Sequence, residues 1–137
     1  MNSEQDRKPK LFIIDDDASI RDSMRLLIET IGHSVECFSS AAEFLEFIES
    51  FDISDPVCLI VDVQMPEIGG IELLEKLSAL GTQFPVIMTT GHGSPALKQE
   101  AKELGAVALL EKPFRPSELQ EIIATSLKLD IGEKDMR

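Results

Sequence analysis

Four apolar runs in the chain end in residues that can do chemistry. Lys10-Leu-Phe-Ile-Ile leads into Asp15, Asp16 and Asp17, and Val57-Cys-Leu-Ile-Val leads into Asp62. Phe84-Pro-Val-Ile-Met-Thr ends at Thr90, and the run from Ala106 to Glu111 is followed by Lys112. A continuous apolar run bounded by turn signals reads as a strand buried on both faces of a parallel sheet. Polar residues at the ends of such strands lie at the carboxyl edge, where open α/β sheets bind their ligands. Carboxylates gathered there repel one another unless a positive charge sits among them. A hard divalent cation meets that need, and Mg²⁺ typically takes one or two carboxylates while keeping waters for a phosphate. Acids holding a metal beside a lysine point charge are the equipment of phosphoryl transfer, where positioning and charge neutralisation supply most of the catalysis. Thr90 adds a hydroxyl for a phosphoryl oxygen, and Gly91 leaves the approach open. No Gly-rich phosphate loop follows the first strand, and bare acids would repel a nucleotide's phosphates. The acceptor is then expected to be a protein group, with Asp62 the carboxylate best placed as nucleophile.

Each residue also has a plainer reading. Asp62 taken alone could be a strand-end polar residue or a loop cap, and Asp15-Asp16-Asp17 could be a solvated cap for the next helix. Lys112 could be an ordinary surface lysine. The elements that carry these residues decide between the readings.

After the first strand, Ile20, Met24, Leu27, Ile28 and Ile31 repeat at helical spacing, and Gly32 stands where a C′ glycine ends a helix. Ser34 to Phe38 alternates apolar and polar residues, as an edge strand does. Ser40 with Glu43 forms a capping box before a helix carrying Phe44, Leu45, Ile48 and Phe51. The strand ending at Asp62 is followed by Met65-Pro66 and Gly69-Gly70, then by a helix with Ile71, Leu73, Leu74, Leu77 and Leu80 that stops at Gly81. Beyond Thr90, Gly91-His92-Gly93 breaks the strand and Ser94-Pro95 starts a helix with a thin apolar face of Leu97, Ala101 and Leu104. Pro116 opens a last helix with Leu119, Ile122, Ile123 and Leu127. Strands and helices thus alternate, which predicts a doubly wound α/β sandwich with right-handed crossovers. In the strand order 2-1-3-4-5, the reversal falls between strands 1 and 3 and sets Asp15 and Asp16 against Asp62 across one crevice.

Composition bounds the rest. The chain has 137 residues, 43% of them hydrophobic, with no Trp or Tyr and seven Phe to fill one core. Its net charge of -12 argues against gripping nucleic-acid phosphates or an anionic membrane. The polar start, Met-Asn-Ser-Glu-Gln-Asp-Arg-Lys-Pro-Lys, is no signal peptide, and no apolar run approaches the roughly 20 residues of a membrane span. A soluble, cytoplasmic protein is expected. Cys37 and Cys58 fit no metal spacing, and strands 2 and 3 would hold them on either side of strand 1, beyond disulfide reach.

Taken together, Ile14-Asp15-Asp16, Val61-Asp62-Val63-Gln64-Met65-Pro66 with Gly70, Met88-Thr89-Thr90-Gly91 and Glu111-Lys112-Pro113-Phe114 resemble the receiver (CheY-like) domain of two-component response regulators. The resemblance spans roughly residues 9 to 128, and the Thr90-Gly91-His92-Gly93 and Leu110-Glu111-Lys112-Pro113-Phe114 segments look most like receivers of the FixJ type. It implies a flavodoxin-like (βα)5 sandwich over 10–128, with a polar leader at 1–9 and a charged, loose tail at 129–137. It implies that a sensor histidine kinase presents a phosphohistidine and that Asp62 takes the phosphoryl group. Mg²⁺ would be held by Asp16, Asp62 and the backbone carbonyl of Gln64, with Asp15 acting mainly through water. Lys112 and Thr90 would bind the phosphoryl oxygens, Thr90 moving inward, and the Lys112-Pro113 bond would be cis. The site would hydrolyse its own phosphate slowly, so the domain is not an enzyme acting on other molecules. Its output would be a changed surface on helix 4, strand 5 and helix 5. That surface would be read by an unknown partner, by an output domain beyond this chain such as that of a transcriptional regulator, or by a second copy in a phosphorylation-dependent homodimer.

Two positions depart from the family pattern. The residue of strand 5 that pairs with the Thr in the switch is usually aromatic, and here it is Leu109, which can repack but has no ring to swing. Gly69 stands where an Asp is common, which predicts a looser start to helix 3. Gln64 and His92 lie where attacking water would approach, although an exposed loop histidine is the simpler role for His92. Two rival readings remain. A haloacid-dehalogenase-type phosphatase also uses a strand-end Asp with Mg²⁺, but it wants a second acid at the position of Gln64. An unphosphorylated receiver-fold scaffold would not need the full set of acids, Thr90 and Lys112.

Overall fold

The computed structural model describes residues 9–51, 56–81 and 84–135, of which 128–135 are described by backbone alone. Among these residues, strands and helices alternate as β1 (Lys10–Ile14), α1 (Ala18–Thr30), β2 (Ser34–Phe38), α2 (Ala41–Ile48), β3 (Val57–Asp62), α3 (Gly70–Ala79), β4 (Val86–Thr90), α4 (Pro95–Glu103), β5 (Ala108–Glu111) and α5 (Pro116–Asp135). The strands form one parallel sheet in the order β2-β1-β3-β4-β5, so the expected order and its reversal between β1 and β3 are both present.

Strand alternation divides the core in two. Phe12, Ile14, Leu59, Val61, Val86 and Met88 face α2, α3 and α4, where they meet Phe44, Leu73, Leu77 and Ala101. Leu11, Ile13, Cys58, Ile60, Ile87 and Leu110 face the other way, onto Met24 and Ile28 of α1 and Leu119, Ile123 and Leu127 of α5. With no Trp or Tyr available, Phe12 packs its ring against Phe38, Phe44, Phe47 and Phe51 at centroid distances of 5.3–5.9 Å. Edge-on and tilted contacts of this kind stabilise beyond the area they bury.

The helix ends form for the reasons the sequence gives, with differences in detail. Gly32 adopts φ 97° and Gly105 φ 89°. At both, the next residue's N–H returns to the carbonyl five back (His33 to Ile28, Ala106 to Ala101), the Schellman arrangement. That closure draws Ala106 into the end of α4, so β5 begins at Ala108 rather than Ala106. β4 begins at Val86 rather than Phe84, because Pro85 has no N–H for the ladder and contributes its carbonyl, to Leu59 N–H at 3.0 Å. Ser40 caps α2, but Glu43 reaches back to the N–H of Ser39, one residue earlier than a standard capping box. The loose tail expected from 129 is instead helical backbone through Asp135: no proline interrupts it, and a single interior Gly132 weakens a helix without ending it. Apart from Pro9, the leader at 1–9 lies outside the described residues, as does the loop over 52–55.

Cys37 pairs in register with Ile13 on one side of β1, and Cys58 with Leu11 on the other, as expected of core positions two strands apart. Among the described residues, no helix is long and apolar enough to cross a membrane.

Candidate functional site

The carboxyl ends of β1, β3 and β5 bring Asp15, Asp16, Asp62 and Lys112 together. One carboxylate oxygen from each of the three acids lies within 4.8 Å of the others. Asp15 and Asp62 are buried, 1% and 7% exposed, while Asp16 is open to solvent. Lys112 Nζ sits between the buried pair, 3.1 Å from Asp15 Oδ2 and 3.5 Å from Asp62 Oδ1. Burial of the Asp62 carboxyl, then the charge of Asp15, raise its pKa above the ordinary aspartate value; Lys112 and the backbone N–H of Gln64 pull the other way.

The loop carrying the first two acids is tied down by its own residues. Asp15 Oδ1 accepts the N–H of Asp17 at 2.9 Å, and Arg21 Nη1 donates to the Asp15 carbonyl at 2.7 Å. Asp17 caps α1, accepting the N–H groups of Ser19 and Ile20. The acidic triplet therefore divides into a buried acid, an exposed acid and a helix cap. Arg21 was not legible as part of this site. Its only sequence signal is a helical offset of four from the Asp17 cap.

The loop after Asp62 is crowded. A Cβ on Gly70 would stand 2.7 Å from the Asp62 carbonyl oxygen and 3.0 Å from Val63 Cα, and one on Gly69 would stand 2.8 Å from the Val63 carbonyl oxygen. Gly69 caps α3 with no side-chain hydrogen bond, but its lack of a Cβ lets the helix start close against β3. The expected looseness at this position therefore comes with a tight backbone approach that an Asp could enter only by displacing it.

Thr90 is fully buried at the end of β4, and its hydroxyl accepts the His92 N–H at 3.1 Å. Alternation along β4 places it with Met88 on the α3/α4 face, opposite to Asp62, and there Leu109 pairs in register with Met88. Thr90 and Leu109 thus share a face of the sheet. Gln64 and His92 are both exposed. The Lys112-Pro113 bond is cis, as the resemblance implied. Beside Lys112, a groove of about 490 Å³ runs between α1 and the start of α5, lined by Ile20, Ser23, Met24, Leu27 and Phe114.

A family model described as the response regulator receiver domain matches residues 11–124. The chain belongs to this family. Curated relatives include the response regulator protein TodT of Pseudomonas putida, 42% identical over 124 residues that make up 90% of this chain and 53% of that protein. The transcriptional regulatory protein FixJ of Bradyrhizobium diazoefficiens is 39% identical over 121 residues, 88% of this chain and 58% of that one. The chain therefore spans a little over half the length of these relatives. Among solved structures, FixJ-N superposes with a TM-score of 0.80 at 32% identity, covering 89% of this chain and 95% of that one. The response regulator StyR gives a TM-score of 0.83 at 35% identity over 95% of this chain and 64% of that one. The chain is a receiver domain of two-component signalling, the class of domain phosphorylated by histidine kinases, and the phosphatase reading is not favoured. Its acidic cluster has the hard oxygen donors and the spacing to hold a metal ion.

Proposed function

We propose that Asp62 is the phosphoryl acceptor of this receiver domain. The observation that carries the reading is Lys112 Nζ lying between Asp15 and Asp62, with Asp16 alongside and open to solvent. A carboxylate oxygen of Asp62 attacks the phosphorus of a phosphohistidine on a sensor kinase. The new O–P bond forms as the P–N bond breaks, and the imidazole nitrogen leaves with the electron pair. Lys112 shifts from Asp62 to the incoming phosphoryl oxygens, and Thr90 turns from the His92 N–H towards the same oxygens. Asp15, Asp16, Asp62 and the Gln64 carbonyl would hold Mg²⁺. Bound there, it would neutralise the crowded carboxylates and the charge developing on the phosphoryl group. Water approaching past Gln64 and His92 later cleaves the acyl phosphate, so the chain catalyses only its own phosphotransfer and its own reset.

The output is a population shift at α4 and β5. Of α4's residues only Ala101 is fully buried. A cavity of about 300 Å³, lined by Lys98, Ala101, Lys102 and Leu109 among others, lies between that helix and β5. Thin burial and unfilled space give this face a low cost of rearrangement. Thr90 and Leu109, on the same side of the sheet, link it to the phosphate. The reader is a protein partner, an output domain of the kind that lengthens the relatives, or a second copy. A net charge of -12 and the lack of a long apolar helix among the described residues support a cytoplasmic protein that binds neither DNA nor membrane by itself.

Incubation with acetyl phosphate and Mg²⁺, read by intact mass, tests the acceptor. A hydroxylamine-labile gain of one phosphoryl group, lost in Asp62→Asn and in EDTA, is expected. No gain under any condition would remove the proposal.

A further inference from the structure

One polar atom in the core has no place in the scheme above. Thr89 is fully buried, and its Oγ1 has no hydrogen-bond partner among the described residues. Burying a hydroxyl without a partner destabilises a fold, and valine would fill the same shape without that penalty. Thr89 is also the register partner of Asp62 across the parallel β3–β4 pair. Register partners project from the same face of a sheet, at neighbouring-strand spacing of about 4.8 Å. By alternation that is the α1/α5 face, which β4 otherwise fills with Ile87. An idle hydroxyl therefore stands on the acceptor's side of the sheet, one strand away in register.

We propose that Thr89 is a positioning residue for Asp62, its hydroxyl held in reserve until the site is loaded. The inference rests on the acceptor role argued above. Lys112 Nζ pairs with Asp62, and its 3.5 Å contact there is longer than its 3.1 Å contact with Asp15. When the phosphoryl group arrives, Asp62 Oδ2 becomes the bridging oxygen of the acyl phosphate and Lys112 leaves Oδ1 to follow the phosphoryl group. The other Asp62 oxygen then loses the ammonium and gains a partner in Thr89 Oγ1–H. That hydrogen bond exists only in the loaded state, so it favours the phosphorylated form over the free one and fixes the rotamer of the acyl phosphate.

Thr89→Val and Thr89→Ser separate the hydroxyl from the shape of the side chain. Thermal melting without metal reads the unloaded fold, and acetyl phosphate with Mg²⁺, followed by intact mass, reads the rate of phosphorylation and the lifetime of the phosphate. Thr89→Val is expected to melt at or above the wild-type temperature, yet to lose its phosphate about three- to tenfold faster. Thr89→Ser is expected to keep the wild-type lifetime within about twofold. A Val variant that melts lower overturns the proposal, because the hydroxyl then serves the unloaded fold. A Val variant with unchanged lifetime, or a Ser variant that behaves like Val, overturns it too. If the wild type takes up no phosphoryl group, the acceptor reading falls and this inference falls with it. A wild type that is phosphorylated beside an unaffected Val variant removes the role of Thr89 alone.

Discussion

At the scale of residues, Asp62 is an acid kept in an environment that resists its charge. Burial and Asp15 raise its pKa, so the folded chain holds a proton on it to higher pH than the unfolded chain does. The contribution of Asp62 to stability is then most favourable where it is protonated and declines as pH rises from the ordinary aspartate value through its raised pKa. Asp62→Asn removes the penalty and leaves Lys112 with its closer partner, Asp15. In EDTA, melting of the Asn variant is expected to exceed wild type by a few degrees at neutral pH. The gap should close as pH falls below about 4, where an ordinary aspartate is itself protonated. A gap that widened on acidification would contradict the assignment. Asp15, Asp16, Asp62 and Lys112 were legible in the sequence because each ends an apolar run, and a parallel sheet gathers strand ends at one edge. Arg21 and the unpaired hydroxyl of Thr89 were not. Which carbonyl an arginine reaches, and which buried hydroxyl is left without a partner, are properties of packing that no spacing encodes.

At the scale of elements, the join between β3 and α3 leaves little room for a side chain. Gly70→Ala would press a methyl group against the Asp62 carbonyl oxygen, a backbone atom with little room to move. It is expected to destabilise the chain by about 1–3 kcal/mol and to slow phosphorylation by displacing Asp62, as a denaturant titration paired with the acetyl phosphate assay would show. Wild-type behaviour in both would mean that the loop relaxes freely. The opposite character belongs to α4 and β5. Leu109→Ala enlarges the cavity already beneath α4 while leaving the carboxylates in place. Partner binding or phosphorylation-dependent dimerisation is expected to weaken more than the rate of phosphorylation; equal loss of both would deny the separation. The helical and strand repeats placed every element, and the ends moved by a residue or two where local hydrogen bonding overrode pattern. Pro85 shortened β4, the closure of α4 shortened β5, and nothing in Lys128–Asp135 stopped α5.

At the scale of the whole molecule, the site faces outward beside the α1–α5 groove that begins at Lys112. A protein that docked across that groove would bring a phosphohistidine within reach of Asp62, whereas acetyl phosphate needs no such contact. Ser23→Arg, an exposed change in the groove wall, is therefore expected to slow transfer from a cognate kinase about tenfold or more while acetyl phosphate labelling holds. Equal rates from the kinase with and without the arginine would place docking elsewhere. The strand order observed is the one supposed from the two common doubly wound orders, and its reversal between strands 1 and 3 joins the acids. The contents of the groove were not, because they depend on how α1 and the start of α5 lean on the sheet.

Thr89 and Thr90 are neighbours in the chain, yet they look through opposite sides of the sheet, one towards Asp62 and α1, the other towards Leu109 and α4. The sheet acts as a partition, and the two-residue period of β4 is the doorway through it. A slip of one residue along β4 would turn each hydroxyl through to the opposite face. If Asp62 is written from the α1 side and α4 is the face that is read, a kinase and an output partner would have no need to compete for one surface.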